Sequence, residues 1–232
     1  MAFLKVKAEN VAKEGGSSYA NTSGIYDVNM KACEIASTTN GATQANYMTD
    51  KCMSYGNTLA DRNGKPIFGM AIIESLAAVL GQDELSDPEA TDVKFKKATK
   101  ELMCIPELTD VDVKMWVQFE YRFYKGVIQE SVNAKRFYRA SDGASGSEVL
   151  AEAQAAQDGI PVATNRVVGT QLAKDTAYSK EVKYSDSSKG AGDAPTEAQV
   201  IAWKKAQAGG TPDAAAATVN PKGAIKGFPK SA

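Results

Sequence analysis

Residues 113–139, VKMWVQFEYRFYKGVIQESVNAKRFYR, constrain the fold more than any other stretch. Their first half alternates with a period of two, which a half-buried strand satisfies and a helix does not. Val113, Met115, Val117, Phe119, Tyr121 and Phe123 fall on one face, and Lys114, Trp116, Gln118, Glu120, Arg122 and Tyr124 on the other. Lys125-Gly126 supplies a turn in which Gly takes a positive φ. The segment therefore predicts a long β-hairpin. Six basic residues against two acidic ones leave it near +4, although the whole chain carries a formal net charge of −1. One sheet face that holds Trp, Tyr and Arg together suits stacking of unpaired bases and neutralisation of phosphates. A solvated hairpin whose rings cover a core edge is the competing reading, with about equal weight.

Composition removes several chemistries. With a net charge of −1 there is no global basic field, so any nucleic-acid site is a local patch. The chain of 232 residues has no histidine, which excludes Ser-His-Asp and Cys-His catalysis and His-bound metals. Cys33, Cys52 and Cys104 form no CxxC pair, so a zinc site is not expected and reduced thiols in a cytosolic setting fit best. No charged-then-apolar leader and no apolar run near ~18 residues is present, so the expectation is a cytoplasmic protein without a membrane partner. Phosphate-loop patterns are missing, and Asp27, Asp50 and Asp61 form no paired acidic motif. The chain is thus expected to be non-enzymatic and without cofactor or metal.

Along the chain, residues 1–22 read as a flexible arm. Tyr26, Val28, Met30 and Ala32 share a strand face. Asn40-Gly41 marks a turn, and residues 44–55 read as the partner strand. The spacing of Ile67, Met70, Ala71, Leu76, Val79 and Leu80 predicts a helix over 67–80, closed by Gly81. Residues 82–92 are an acidic loop, and the period over 93–105 is too mixed to assign. Residues 141–160 are a linker plus a short helix capped by Ser147, and residues 161–232 are poor in apolar residues and expected to be largely disordered, apart from a helical stretch near 196–207. The fold class is mainly β: residues 23–140 as an OB-like small antiparallel barrel with one packed helix, followed by a flexible, partly helical tail.

The candidate DNA-binding residues follow from the hairpin. Trp116, Tyr124 and Tyr138 are assigned to base stacking, and Arg122, Lys125, Lys135, Arg136 and Arg139 to phosphates. Tyr47, Lys51 and Tyr55 extend the groove from the neighbouring strand. For each ring alone, core packing is about as probable as stacking, and Arg136 and Arg139 have pairing with Glu120 or Glu130 as an alternative.

A family resemblance adds to this. Ser23-Gly24-Ile25-Tyr26 opens a strand, then come Asn40-Gly41, the helix end Ala77-Ala78-Val79-Leu80-Gly81, Ile105-Pro106-Glu107-Leu108, Tyr124-Lys125-Gly126 and Arg136-Phe137-Tyr138. Over about residues 20–155 this layout resembles bacteriophage-encoded single-stranded DNA-binding proteins with an OB-fold. The resemblance implies a protein that coats single strands exposed during replication or recombination and engages replication or recombination proteins through its C-terminal tail, with a homo-oligomer open to it. The tail departs from that pattern. It ends NPKGAIKGFPKSA, with Lys222, Lys226 and Lys230 and no acid after Asp213. A structural or assembly protein of a phage, using the hairpin as an interface, is the second function class.

Overall fold

The computed structural model describes residues 19–95, 98–158, 169–186 and 193–207. The expected N-terminal arm through residue 18 and the basic chain end from 208 lie outside the described residues. The fold is mainly β, with antiparallel ladders and packed helices. The chain forms two units, residues 1–118 with 132–181, and residues 119–131 with 182–232.

In the first unit, β1 (Gly24–Ser37) serves two partners. Its first half pairs antiparallel with β6 (Val111–Tyr124), from Gly24 opposite Val117 to Met30 opposite Val111. Its second half pairs with β2 (Thr43–Thr49), and the register shifts between Met30 and Ala32. Such an irregularity bends a strand, which lets one strand serve two ladders. Sheet order is β3-β2-β1-β5-β4, where β3 is Met53–Ala60, β4 Glu89–Phe95 and β5 Ala98–Cys104.

The single strand predicted over 44–55 is instead two strands joined by a tight turn. Thr49 is the cause: its Oγ1 accepts from the Lys51 and Cys52 amides at 3.1 and 2.9 Å and donates to the Cys52 carbonyl at 2.8 Å. A threonine hydroxyl that satisfies the local backbone in this way competes with strand continuation. The expected acidic loop also gives way to structure, since β4 begins at Glu89 and pairs with β5 from Glu89 opposite Cys104 to Phe95 opposite Ala98. The alternation along β6 buries Val113, Met115 and Val117, as the period of two predicts. They share the core with Val28, Met30, Leu76 and Tyr47, whose ring meets that of Phe137 edge-on at 5.0 Å.

Helix α1 (Phe68–Val79) lies on this sheet, one residue inside its predicted span at each end. A Cβ at Gly69 would stand 2.1 Å from the Thr58 carbonyl oxygen, so only glycine allows the helix to approach β3 this closely. The Ile67 amide donates to the Leu59 carbonyl at 2.8 Å and fixes the entry. Strand β7 (Val127–Arg139) leads to α2 (Gly146–Gln157), capped by Ser145 rather than Ser147. Ser145 and Glu148 form a reciprocal capping box. Gly146 packs against α1, where an added Cβ would meet Ser75 Oγ at 2.6 Å. Within the stretch expected to be largely disordered, α3 (Thr170–Tyr178) forms as well.

In the second unit, the tip of the hairpin turns at Lys125 and Gly126, with φ of +51° and +78°. Two left-handed residues match the twist of a two-residue hairpin loop, as the sequence predicts. A three-residue strand, β8 (Lys183–Ser185), runs parallel to β6, with Tyr184 opposite Tyr121. Helix α4 (Glu197–Gln207) follows. β8 is three residues long and α3 carries few apolar residues, and so neither was legible in sequence. Among the described residues no helix is long and apolar enough to cross a membrane.

Candidate nucleic-acid interface

Strand alternation alone gave the hairpin a basic aromatic face; the structure divides its members. In the first unit, Tyr138 is fully buried, and its hydroxyl donates to Asp175 Oδ2 at 2.6 Å. Burial, and then this bond to a carboxylate, push the Tyr138 hydroxyl pKa well above the ordinary tyrosine value. Tyr47 is likewise sealed in the core, with its hydroxyl buried and without a hydrogen-bond partner among the described residues. The stacking role expected of Tyr138 and the place in the groove expected of Tyr47 are therefore corrected: a ring enclosed by side chains offers no face to a base.

Two of the expected phosphate contacts are also occupied. Arg136 pairs through Nη1 with Asp175, a carboxylate that also accepts from Gln171 Nε2 at 3.0 Å. Arg139 is clamped between Asp142, in a two-bond contact, and Glu152 at 3.0 Å. The Arg139 fork holds the Asp142 carboxyl below its usual range. The partners expected from sequence, Glu120 and Glu130, are not the ones used. Lys114 is paired with Asp27. Of the six hairpin cations, Arg122, Lys125 and Lys135 have no acidic partner among the described residues, so much of the +4 is cancelled by acids from elsewhere in the chain.

The remaining first-unit candidates differ in access. Trp116 is half-buried, and its indole N–H is shielded without an acceptor among the described residues. Tyr55 is 52% exposed, but it sits near Glu34, which disfavours a phosphate there. Lys51 lies 3.9 Å from the Asp50 carboxylate. Lys135 and Arg136 line a cleft of about 240 Å³ between β7, α1 and the start of α2.

The second unit separates the two faces of the hairpin tip. On one face, Tyr121 stacks at 6.1 Å with Tyr184 and meets Trp203 edge-on at 6.3 Å. Lys204 caps the rings of Phe119 and Tyr121 at 5.3 and 5.1 Å and reaches Glu130 at 3.4 Å. The Tyr121 hydroxyl donates to Glu130 at 2.6 Å, and its pKa is raised first by burial and then by that bond. On the other face lie Arg122 and Tyr124, with Lys125 at the turn. Lys125 Nζ stands 5.3 Å from the Tyr124 ring centre, and Arg122 Nε is buried without a hydrogen-bond partner among the described residues. Glu120, next along this face, pairs with Lys183 at 3.4 Å. This leaves two cations and one half-buried ring on a single strand end.

Sequence reasoning missed Asp175, Glu152 and Glu148. Asp142 had a signal, being three residues from Arg139 at the end of the hairpin. Asp175 had none, because it arrives on a helix in a stretch with few apolar residues. Compared with known proteins, the chain matches no protein-family model, and no curated sequence matches it.

Proposed function

We propose that this chain binds single-stranded DNA without catalysis and with little sequence preference, through the open face of its hairpin tip. The observation that carries the reading is the contrast between the two tip faces. Phe119 and Tyr121 are covered by Tyr184, Trp203 and Lys204, whereas Arg122 and Lys125 have no acidic partner among the described residues and the cation beside the Tyr124 ring is Lys125. Stacking of one base on Tyr124 is worth about 1–3 kcal/mol, and the two cations would each neutralise one phosphate. Such a site is modest alone and gains from repetition along a strand.

In line with the resemblance to phage-encoded single-strand binders, the strands would be those exposed in replication or recombination within the host cytoplasm. An OB-like barrel is the arrangement that resemblance implies for the mainly β fold.

The test is fluorescence anisotropy of labelled oligo-dT with the full chain and with the triple variant R122A/Y124A/K125A. The variant should bind about tenfold to a hundredfold more weakly. The slope of log affinity against log salt should flatten by about 0.7 for each cation removed. Duplex of equal length should compete poorly. Absence of binding at low salt, or an unchanged salt slope in the variant, refutes the reading and favours a hairpin that serves as a protein interface.

A further inference from the structure

A second feature, in the first unit and independent of the tip, has the chemistry of a ligand site. The cleft beside β7 has a cationic wall, Lys135 and Arg136, and an apolar wall on α1, Phe68, Ala71 and Ile72. Lys135 has no acidic partner among the described residues. Arg136 commits Nη1 to Asp175, and its side chain remains 37% exposed. Glu148, the other nearby acid, is occupied by the Ser145 and Gln171 amides at 2.7 and 3.1 Å. Both acids are thus turned to structural work, and the unpaired charge facing the cleft is positive.

The apolar wall has an unusual member. Phe68 is 71% exposed, more than any other large hydrophobic residue described. Its position is fixed rather than incidental. It is the first residue of α1, and the neighbouring Gly69 is pressed on the β3 backbone, so the backbone that carries this ring is fixed beside the cleft. The opposite lip is fixed where Gly146 packs on Ser75. A volume of about 240 Å³ lies just under the usual range of small-molecule sites, which suits one compact unit rather than an extended cofactor.

We propose that this cleft is a subsite for one nucleotide unit, with the phosphate on Lys135 and Arg136 and the base against the ring of Phe68. Phosphate and a flat ring occur together in a free mononucleotide and in a nucleotide of a strand. The shared chemistry is what the cleft reads.

The experiment uses the full chain and saturation-transfer NMR with dAMP. Base protons of dAMP should receive saturation, and deoxyadenosine, which lacks the phosphate, should bind at least about tenfold more weakly, as loss of a charge-assisted contact implies. K135A should weaken dAMP by a similar factor, K135R should restore most of it, and F68A should abolish transfer to the base protons. Both substituted side chains reach solvent, and circular dichroism checks that the variants keep the wild-type fold. Displacement of dAMP by a dA oligomer supports a strand nucleotide as the source, and no displacement supports the free nucleotide. The proposal is overturned if dAMP shows no saturation, if deoxyadenosine binds as well as dAMP, or if K135A and F68A leave dAMP binding unchanged. All of these dAMP measurements are made on the full chain in the R122A/Y124A/K125A background, which lacks the ring and both cations of the tip, so saturation reports the cleft alone while oligo-dT binding by the unsubstituted chain reports the tip.

Discussion

Asp175 anchors α3 to the end of β7, and its replacement by alanine tests how the structure disposes of the basic hairpin. Three partners lose an acceptor. The Tyr138 hydroxyl is fully buried and would be left unpaired, at a cost of about 1–3 kcal/mol. The Arg136 side chain is 37% exposed, so solvent screens its ion pair and that loss is about 0–1 kcal/mol. The bond from Gln171 Nε2 adds about 0.5–1.5 kcal/mol. D175A should therefore destabilise the chain by about 1.5–5.5 kcal/mol, read as a lower urea midpoint at neutral pH. Y138F alone should cost about 1 kcal/mol, because Asp175 retains two donors. In the double variant the buried hydroxyl and its acceptor are both gone, so D175A/Y138F should be more stable than the sum of the single losses implies. A D175A cost under about 0.5 kcal/mol, or strict additivity, would show that the Tyr138–Asp175 bond does not hold the helix. D175A also frees Arg136, and the chain should then bind dAMP more tightly than wild type, in proportion to the charge released into the cleft.

Two further outcomes follow from packing and from titration. G69A drives a methyl group into the Thr58 carbonyl, and the shift of α1 should cost about 1–3 kcal/mol by thermal or urea unfolding; a neutral result would mean that α1 is loosely seated. Stability should be flat between about pH 5 and 8 and fall on both sides, the alkaline fall beginning with Cys33, Cys52 and Cys104, whose thiols burial pushes up. On the acid side, burial alone would raise the Glu148 carboxyl, but bonds from Ser145 and Gln171 bring it below its ordinary value, as the Arg139 fork does for Asp142. A lowered folded pKa gives stability that is present above the ordinary value and lost as pH falls. On the alkaline side, Tyr138 and Tyr121 are raised, so their contribution is present below about pH 10 and lost as pH rises. E148Q should flatten the acid limb, and an unchanged limb would remove Glu148 from the account.

The sequence by itself determined the hairpin, its turn and its inward face. An alternation of Val113, Met115 and Val117 leaves a strand no choice of core side, and Lys125-Gly126 dictates the loop. It also determined α1, because a helical apolar stripe followed by Gly81 is a local signal. The break at Thr49 was legible only in hindsight, since one hydroxyl decided between a continuous strand and a turn.

Only the tertiary structure decided which cations and rings stay available. Charge is additive along a sequence, but its use depends on what arrives from far away. Asp175 comes from 39 residues beyond Arg136 and Asp27 from 87 residues before Lys114, and neither approach has a pattern to announce it. Ring access is equally non-local. Tyr138 and Tyr124 look alike in sequence, yet one is sealed beside α3 and the other is left at the tip. A strand fixes the direction of a side chain, and the packing of distant elements fixes whether anything can reach it.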